Sequence, residues 1–186
     1  MSKHTDQQYD SAIAQCRTVF LNKTRDYGTS WRIMRLPSIT DQIFIKAQRI
    51  RTIDLKGAAK VNEGIEPEFI GILNYSVMAL MQMKINDDSG KEIAFELAMK
   101  MYDEIIAETK SLMNAKNHDY GEAWREMSQE SFIDLTLSKL LRIKQILSND
   151  GNTLISEGVD ANFHDIVNYA VFALIKLEEA KLVNKI

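Results

Sequence analysis

Apolar residues recur along this chain at spacings of three and four, and nowhere alternate for long with polar ones. The clearest stretch lies near the C-terminus. There Phe163, Ile166, Val167, Ala170, Leu174 and Leu177 fall on one side of a helix and form a core-facing stripe. Sustained period-two alternation is missing, so no sheet is expected. Only two prolines, Pro37 and Pro67, and eight glycines interrupt the 186 residues. Long runs of Ala, Leu, Ile, Met, Lys and Glu between them favour helix throughout.

Sliding the chain against itself by 93 positions reveals why the pattern recurs. Tyr9-Asp10 then meets Tyr102-Asp103, Lys23 meets Lys116, and Asp26-Tyr27-Gly28 meets Asp119-Tyr120-Gly121. Trp31-Arg32 meets Trp124-Arg125, Asp41 meets Asp134, Lys46 meets Lys139 and Arg49 meets Arg142. A single inserted residue moves the offset to 94, where Glu63-Gly64 meets Glu157-Gly158 and Asn74-Tyr75 meets Asn168-Tyr169. Chance produces isolated matches but not an ordered series with one gap. The chain is a tandem duplication, with repeat one at about 8–86 and repeat two at about 91–182.

Each repeat reads as three helices. The first covers about 8–24 and 92–116 and stops at Asp-Tyr-Gly, where glycine suits the left-handed residue after a helix end. A short Trp-bearing connector follows. The second helix is expected to open at Ser38-Ile-Thr-Asp41 and Ser131-Phe-Ile-Asp134, each close to a capping box. The third follows Glu-Gly. The expected fold is all-α: a single compact domain, a helical bundle of two three-helix repeats related by a pseudo-two-fold axis.

Composition narrows the function. Twenty-three basic residues against 26 acidic ones leave a formal net charge of -3, which argues against general nucleic-acid binding. A local basic pocket for a small phosphorylated ligand remains open. Cys16 is the only cysteine, so there is neither an internal disulfide nor a cysteine zinc site. No apolar run approaches the ~18 residues of a membrane span, and the opening MSKHTDQQYDS lacks the apolar core of a signal peptide. The expectation is a cytoplasmic protein with no membrane partner.

Candidate chemistry divides into what both repeats keep and what only the second has. Lys139 and Arg142, like Lys46 and Arg49, lie at i and i+3 on one side of a helix, where two cations suit phosphate oxygens or simply form a solvated face. Lys116 and Asp119 belong to the shared motif beside Tyr120 and Trp124. Those two aromatics either stack on a nucleobase or anchor the connector. Asn168-Tyr169 either ties helices together or orients a ligand. Repeat two alone carries Glu104, Glu108 and Asp165, against Ser11, Gln15 and Gly71 in repeat one. Two carboxylates one turn apart, facing a third from a neighbouring helix, suit Mg²⁺. Glu157, matched by Glu63, would be a further ligand or a general base.

The stretch Lys116-Asn-His-Asp-Tyr-Gly-Glu-Ala-Trp124, with Asp165-Ile-Val-Asn-Tyr-Ala170, resembles the nucleotide-modification-associated domain 1 family over nearly the whole chain. The resemblance implies an association with nucleotide metabolism. A weaker likeness is to the all-α nucleoside triphosphate pyrophosphatases of MazG and dimeric dUTPase type, whose E-x-x-E and E-x-x-D pairs hold Mg²⁺. Glu104-x-x-x-Glu108 and Asp165-x-x-Asn168 approximate those pairs. Together these likenesses imply Mg²⁺-dependent hydrolysis of a nucleoside triphosphate to monophosphate and pyrophosphate. Glu104, Glu108 and Asp165 would hold metal, with Glu157 as base. Lys139 and Arg142 would meet phosphate, and Tyr120 and Trp124 the base. The alternative is a non-catalytic nucleotide-binding or assembly module. A homodimer is expected by analogy with the pyrophosphatases.

Overall fold

A computed structural model describes residues 3–56, 64–87, 89–155 and 157–183. Repeat one contains α1 (Lys3–Tyr27), α2 (Leu36–Lys56) and α3 (Glu66–Ile85). Repeat two contains α4 (Phe95–Tyr120), α5 (Gln129–Ser148) and α6 (Val159–Val183). The connectors Ser30–Ile33 and Ala123–Glu126 are single 3-10 turns. No strand occurs among the described residues, as the periodicity predicts.

The first helices run further than the glycine rule alone suggests, through the Asp-Tyr of the motif to Tyr27 and Tyr120. The chain leaves each helix at a glycine with positive φ, +67° at Gly28 and +63° at Gly121. The second helices begin two residues earlier than expected. The cap of α5 is Ser128, whose hydroxyl accepts from the backbone N–H of Ser131 at 3.3 Å. Ser131 therefore donates to the cap, and Ser38 sits in the first turn of α2 beside Pro37, where proline costs no hydrogen bond.

Helices α3 and α6 are apolar nearly all round, and they pack most extensively on each other. Such helices must be covered on every side. Helix α2 covers α3, α5 covers α6, and α1 and α4 close the remaining faces. Residues of both repeats merge into one buried cluster that includes Tyr9, Phe20, Ile43, Leu73, Phe132 and Phe163.

The pseudo-two-fold axis is visible in reciprocal contacts between the repeats. Tyr9 donates its hydroxyl proton to Asn168 at 3.0 Å, and Tyr102 donates to Asn74 at 2.9 Å. Arg17 pairs with Asp103 at 2.7 Å, and Lys110, at the equivalent place, pairs with Asp10 at 2.6 Å. Lys144 reaches Asp41 at 2.7 Å, mirrored by Arg51 and Asp134 at 4.0 Å. The exposed ion pairs contribute little stability. The buried Tyr–Asn bonds specify the register, since an unpaired amide there is costly.

Candidate functional site

The shared Trp-Arg connectors are braced in the same way in both repeats. The Arg32 guanidinium is buried and donates to the carbonyls of Lys91 and Asp87. Arg125 donates to Glu122 at 2.8 Å and to Glu179 at 3.0 Å. Gln82 donates to the carbonyls of Arg32 and Met34, and Lys176 to those of Arg125 and Met127. These bonds hold each tryptophan against its third helix.

In repeat two a further contact takes up the Trp124 ring. The indole is 5% exposed and stacks flat on Phe172, centroids 4.4 Å apart and planes 6° apart, with the Arg125 guanidinium near its ring. The nucleobase expectation for Trp124 is therefore corrected: its ring serves to anchor the connector. Tyr120 points outward and is 77% exposed. Asp119 is exposed beside His118 at 3.2 Å. Asn168 is spent on Tyr9, so it ties helices rather than orienting a ligand. Tyr169 is half-buried, and burial with the nearby Asp165 charge pushes its phenol up to about 12.

The acids expected to share a metal do not gather. Among the described residues no three His, Cys, Asp or Glu side chains form a group able to hold an ion. Glu104 and Glu108 lie on the exposed face of α4, where Glu108 accepts from Lys84 at 2.6 Å and Glu104 lies 3.8 Å from Lys100. Asp165 is on the inner side of α6 and is only 8% exposed. Each of its oxygens accepts from a lysine at 2.6 Å, one from Lys116 and the other from Lys139. Burial pushes this carboxyl up, but the two lysine hydrogen bonds outweigh it and hold it below the ordinary carboxylate value. A carboxylate already neutralised by two ammoniums, with no second acid beside it, is a poor ligand for a hard cation. Lys139, expected to meet phosphate, and the motif lysine Lys116 both engage this internal anion.

Glu157 and Arg142 are both exposed. They line a broad cavity of about 710 Å³ between the end of α5 and the start of α6. Its outer wall is Leu154 and Ile155, which are fully exposed. The matching Glu63 lies outside the described residues.

The shared motif comes together in repeat one, where the sequence pointed least. A cavity of about 600 Å³ is lined by Lys23, Tyr27, Gly28, Trp31, Lys46, Asn74 and Tyr75, with Val19, Phe20, Ile33, Met34, Ile70 and Met78 among its apolar walls. Thr24, Ser30, Pro67 and Gly71 complete the lining, so two lysines line it and no carboxylate does. Lys23 makes no hydrogen bond or ion pair with any described residue. Lys46 lies 6.0 Å from the Tyr75 ring centre and 3.2 Å from Glu68, which also pairs with Arg49. The Glu92 carboxylate rests against Gly28 at the rim.

Gly71 is what the sequence reading undervalued. A β-carbon there would meet Cε and Cδ of Lys46 at 2.6 and 2.7 Å, so the lysine stem lies across the bare backbone. Each repeat thus sets one acid of its third helix against the Lys-x-x-Arg face, but one turn apart: Glu68 in the first, Asp165 in the second. A glycine in mid-helix, where alanine would be about 1 kcal/mol better, is the signal that marked this place.

A family model described as nucleotide modification associated domain 1 matches residues 23–83 and 116–177. The chain belongs to this family. The two matched segments begin at the equivalent lysines, Lys23 and Lys116, and together cover well over half of the sequence. No curated protein and no solved structure matches the chain. In this family member the two motif copies have diverged in their surroundings. One lines a cavity, and in the other the lysines meet Asp165 while the tryptophan stacks on Phe172. No described helix is long and apolar enough to cross a membrane.

Proposed function

We propose that this nucleotide modification associated domain 1 protein binds a small phosphorylated aromatic compound of the nucleotide class, in the repeat-one cavity. One observation carries the reading. The motif residues Lys23, Tyr27, Trp31, Lys46 and Tyr75 meet around about 600 Å³ that no carboxylate lines. That volume lies in the usual range for small-molecule sites, roughly 300–1,000 Å³. Apolar walls and tyrosine rings suit a base, and ammonium groups suit phosphate oxygens. An ammonium without an internal partner, such as Lys23, is available to a ligand at no cost in broken ion pairs. The family description points to the same ligand class.

The reading is of a binding module rather than a pyrophosphohydrolase. The acids proposed for Mg²⁺ stand on other faces, and the cavity lining offers a metal no carboxylate. Any Mg²⁺ would arrive on the ligand's own phosphates.

Thermal shift and calorimetry with ribo- and deoxynucleoside mono-, di- and triphosphates, with and without Mg²⁺, test this. Ligand that binds only the folded state raises the melting temperature by an amount that grows with the logarithm of its concentration relative to Kd. The expected result is stabilisation by at least one nucleotide and a weaker effect from the matching nucleoside. Lys23→Ala should weaken binding about tenfold, the worth of one charge-assisted hydrogen bond. Absence of any shift across the panel overturns the proposal, and pyrophosphate release lost in Asp165→Ala would restore the hydrolase reading.

A further inference from the structure

Repeat two holds the same motif as repeat one but places different groups around it. Gly71 becomes Asp165, and Met78, a wall of the open cavity, becomes Phe172. The second change puts a ring where repeat one has a cavity wall, and the first puts a carboxylate where the Lys46 stem crosses bare backbone. Phe172 lies flat on Trp124 at 4.4 Å. Asp165 reaches Lys116 and Lys139, the equivalents of Lys23 and Lys46, with one oxygen each at 2.6 Å.

We infer that repeat two is a self-occupied copy of the repeat-one site, closed by its own Asp165 and Phe172, so that each chain takes one ligand rather than two. The inference rests on the nucleotide-binding reading of the repeat-one cavity and adds the stoichiometry and the anion position to it. The Asp165 carboxylate stands where a ligand's anionic group would stand: between the ammonium of the first helix and that of the second. In repeat one those ammoniums belong to Lys23 and Lys46. Glu68 engages Lys46 at 3.2 Å from one turn earlier on α3, leaving Lys23 without a partner. The ligand's phosphate oxygens complete the bridge that Asp165 makes internally. Removing one internal anion from the second helix–helix junction, and one ring, reopens a second site.

The experiment is isothermal titration of the full chain with the nucleotide that stabilises it most in the panel above, and with inorganic pyrophosphate as a probe of the anion position alone. Wild type should take one nucleotide per chain. Lys23→Ala should lose about tenfold in affinity, whereas Lys116→Ala, whose ammonium is engaged by Asp165, should match wild type. The double variant Asp165→Gly, Phe172→Met should take two nucleotides per chain, and pyrophosphate should follow the same count. The reverse graft, Gly71→Asp with Met78→Phe, should take none while keeping a cooperative melt.

No binding to wild type overturns the cavity reading and the inference with it. Two nucleotides per wild-type chain, or an affinity that falls in Lys116→Ala and not in Lys23→Ala, overturns the inference alone. Should the double variant fail to fold because the half-buried Lys139 is left without an anion, the Lys23 and Lys116 comparison decides.

Discussion

Asp165 shows how much one buried carboxylate can settle. It draws Lys116 from α4 and Lys139 from α5 onto α6, so three helices of repeat two share one charged knot. Its pKa is held below the ordinary carboxylate value by those lysines, against the opposing effect of burial. The stability it supplies is therefore fully present above the unfolded-chain pKa, roughly 3.9, and drains away as pH falls through the lower folded-state value. Asp165→Asn should cost about 2 kcal/mol at neutral pH, since it leaves the half-buried Lys139 without a counter-charge. Urea midpoints of wild type and variant, measured from pH 7 down to about 2, should converge at the acid end. A gap that stays constant over that range would show that the pair contributes no charge-dependent stability. Neither the bridge nor its consequence was legible in the sequence. The three residues are far apart along the chain, and spacing rules speak only to neighbours on one helix.

Between elements, the duplication has become a mutual clasp. Tyr9 of α1 bonds Asn168 of α6, and Tyr102 of α4 bonds Asn74 of α3. Burial raises both phenols strongly above their ordinary value, so both remain donors across the physiological range. Tyr9→Phe and Tyr102→Phe should each cost about 2 kcal/mol, because each leaves a buried amide oxygen unpaired. The two losses should be similar, as the pseudo-symmetry requires, and chemical denaturation measures both. A loss confined to one of them would mean that the repeats are not held together reciprocally. The sequence carries half of this. It marked the Tyr-Asp and Asn-Tyr matches as shared between repeats, and it offered the tie between helices as one of two roles. It did not reveal that each tyrosine crosses to the other repeat, because self-comparison aligns equivalent residues and does not pair them.

For the molecule as a whole, α3 and α6 are too apolar to stand uncovered, and the core they share is continuous across the repeats. Folding should accordingly be a single transition. The chain has two tryptophans, Trp31 in repeat one and Trp124 in repeat two, both nearly buried. Trp124→Phe leaves a reporter of repeat one, and Trp31→Phe a reporter of repeat two. In each single-Trp variant, fluorescence and far-UV circular dichroism should give the same urea midpoint. Separated midpoints for fluorescence and dichroism would show two independently folding halves.

The amino-acid sequence by itself determined that this chain is helical, that it is two copies of one three-helix unit, and which family it belongs to. Those properties rest on periodicity and on matches in order, and both are local or one-dimensional. It also placed the shared lysines, tyrosines and tryptophans in one motif. Only the tertiary structure decided what surrounds each copy of that motif. The difference turns on Lys46 lying across Gly71, on Phe172 covering Trp124, and on Asp165 bridging two lysines from other helices. Each is a contact between helices, set by how their side chains share a common interior, and no spacing along the chain encodes it.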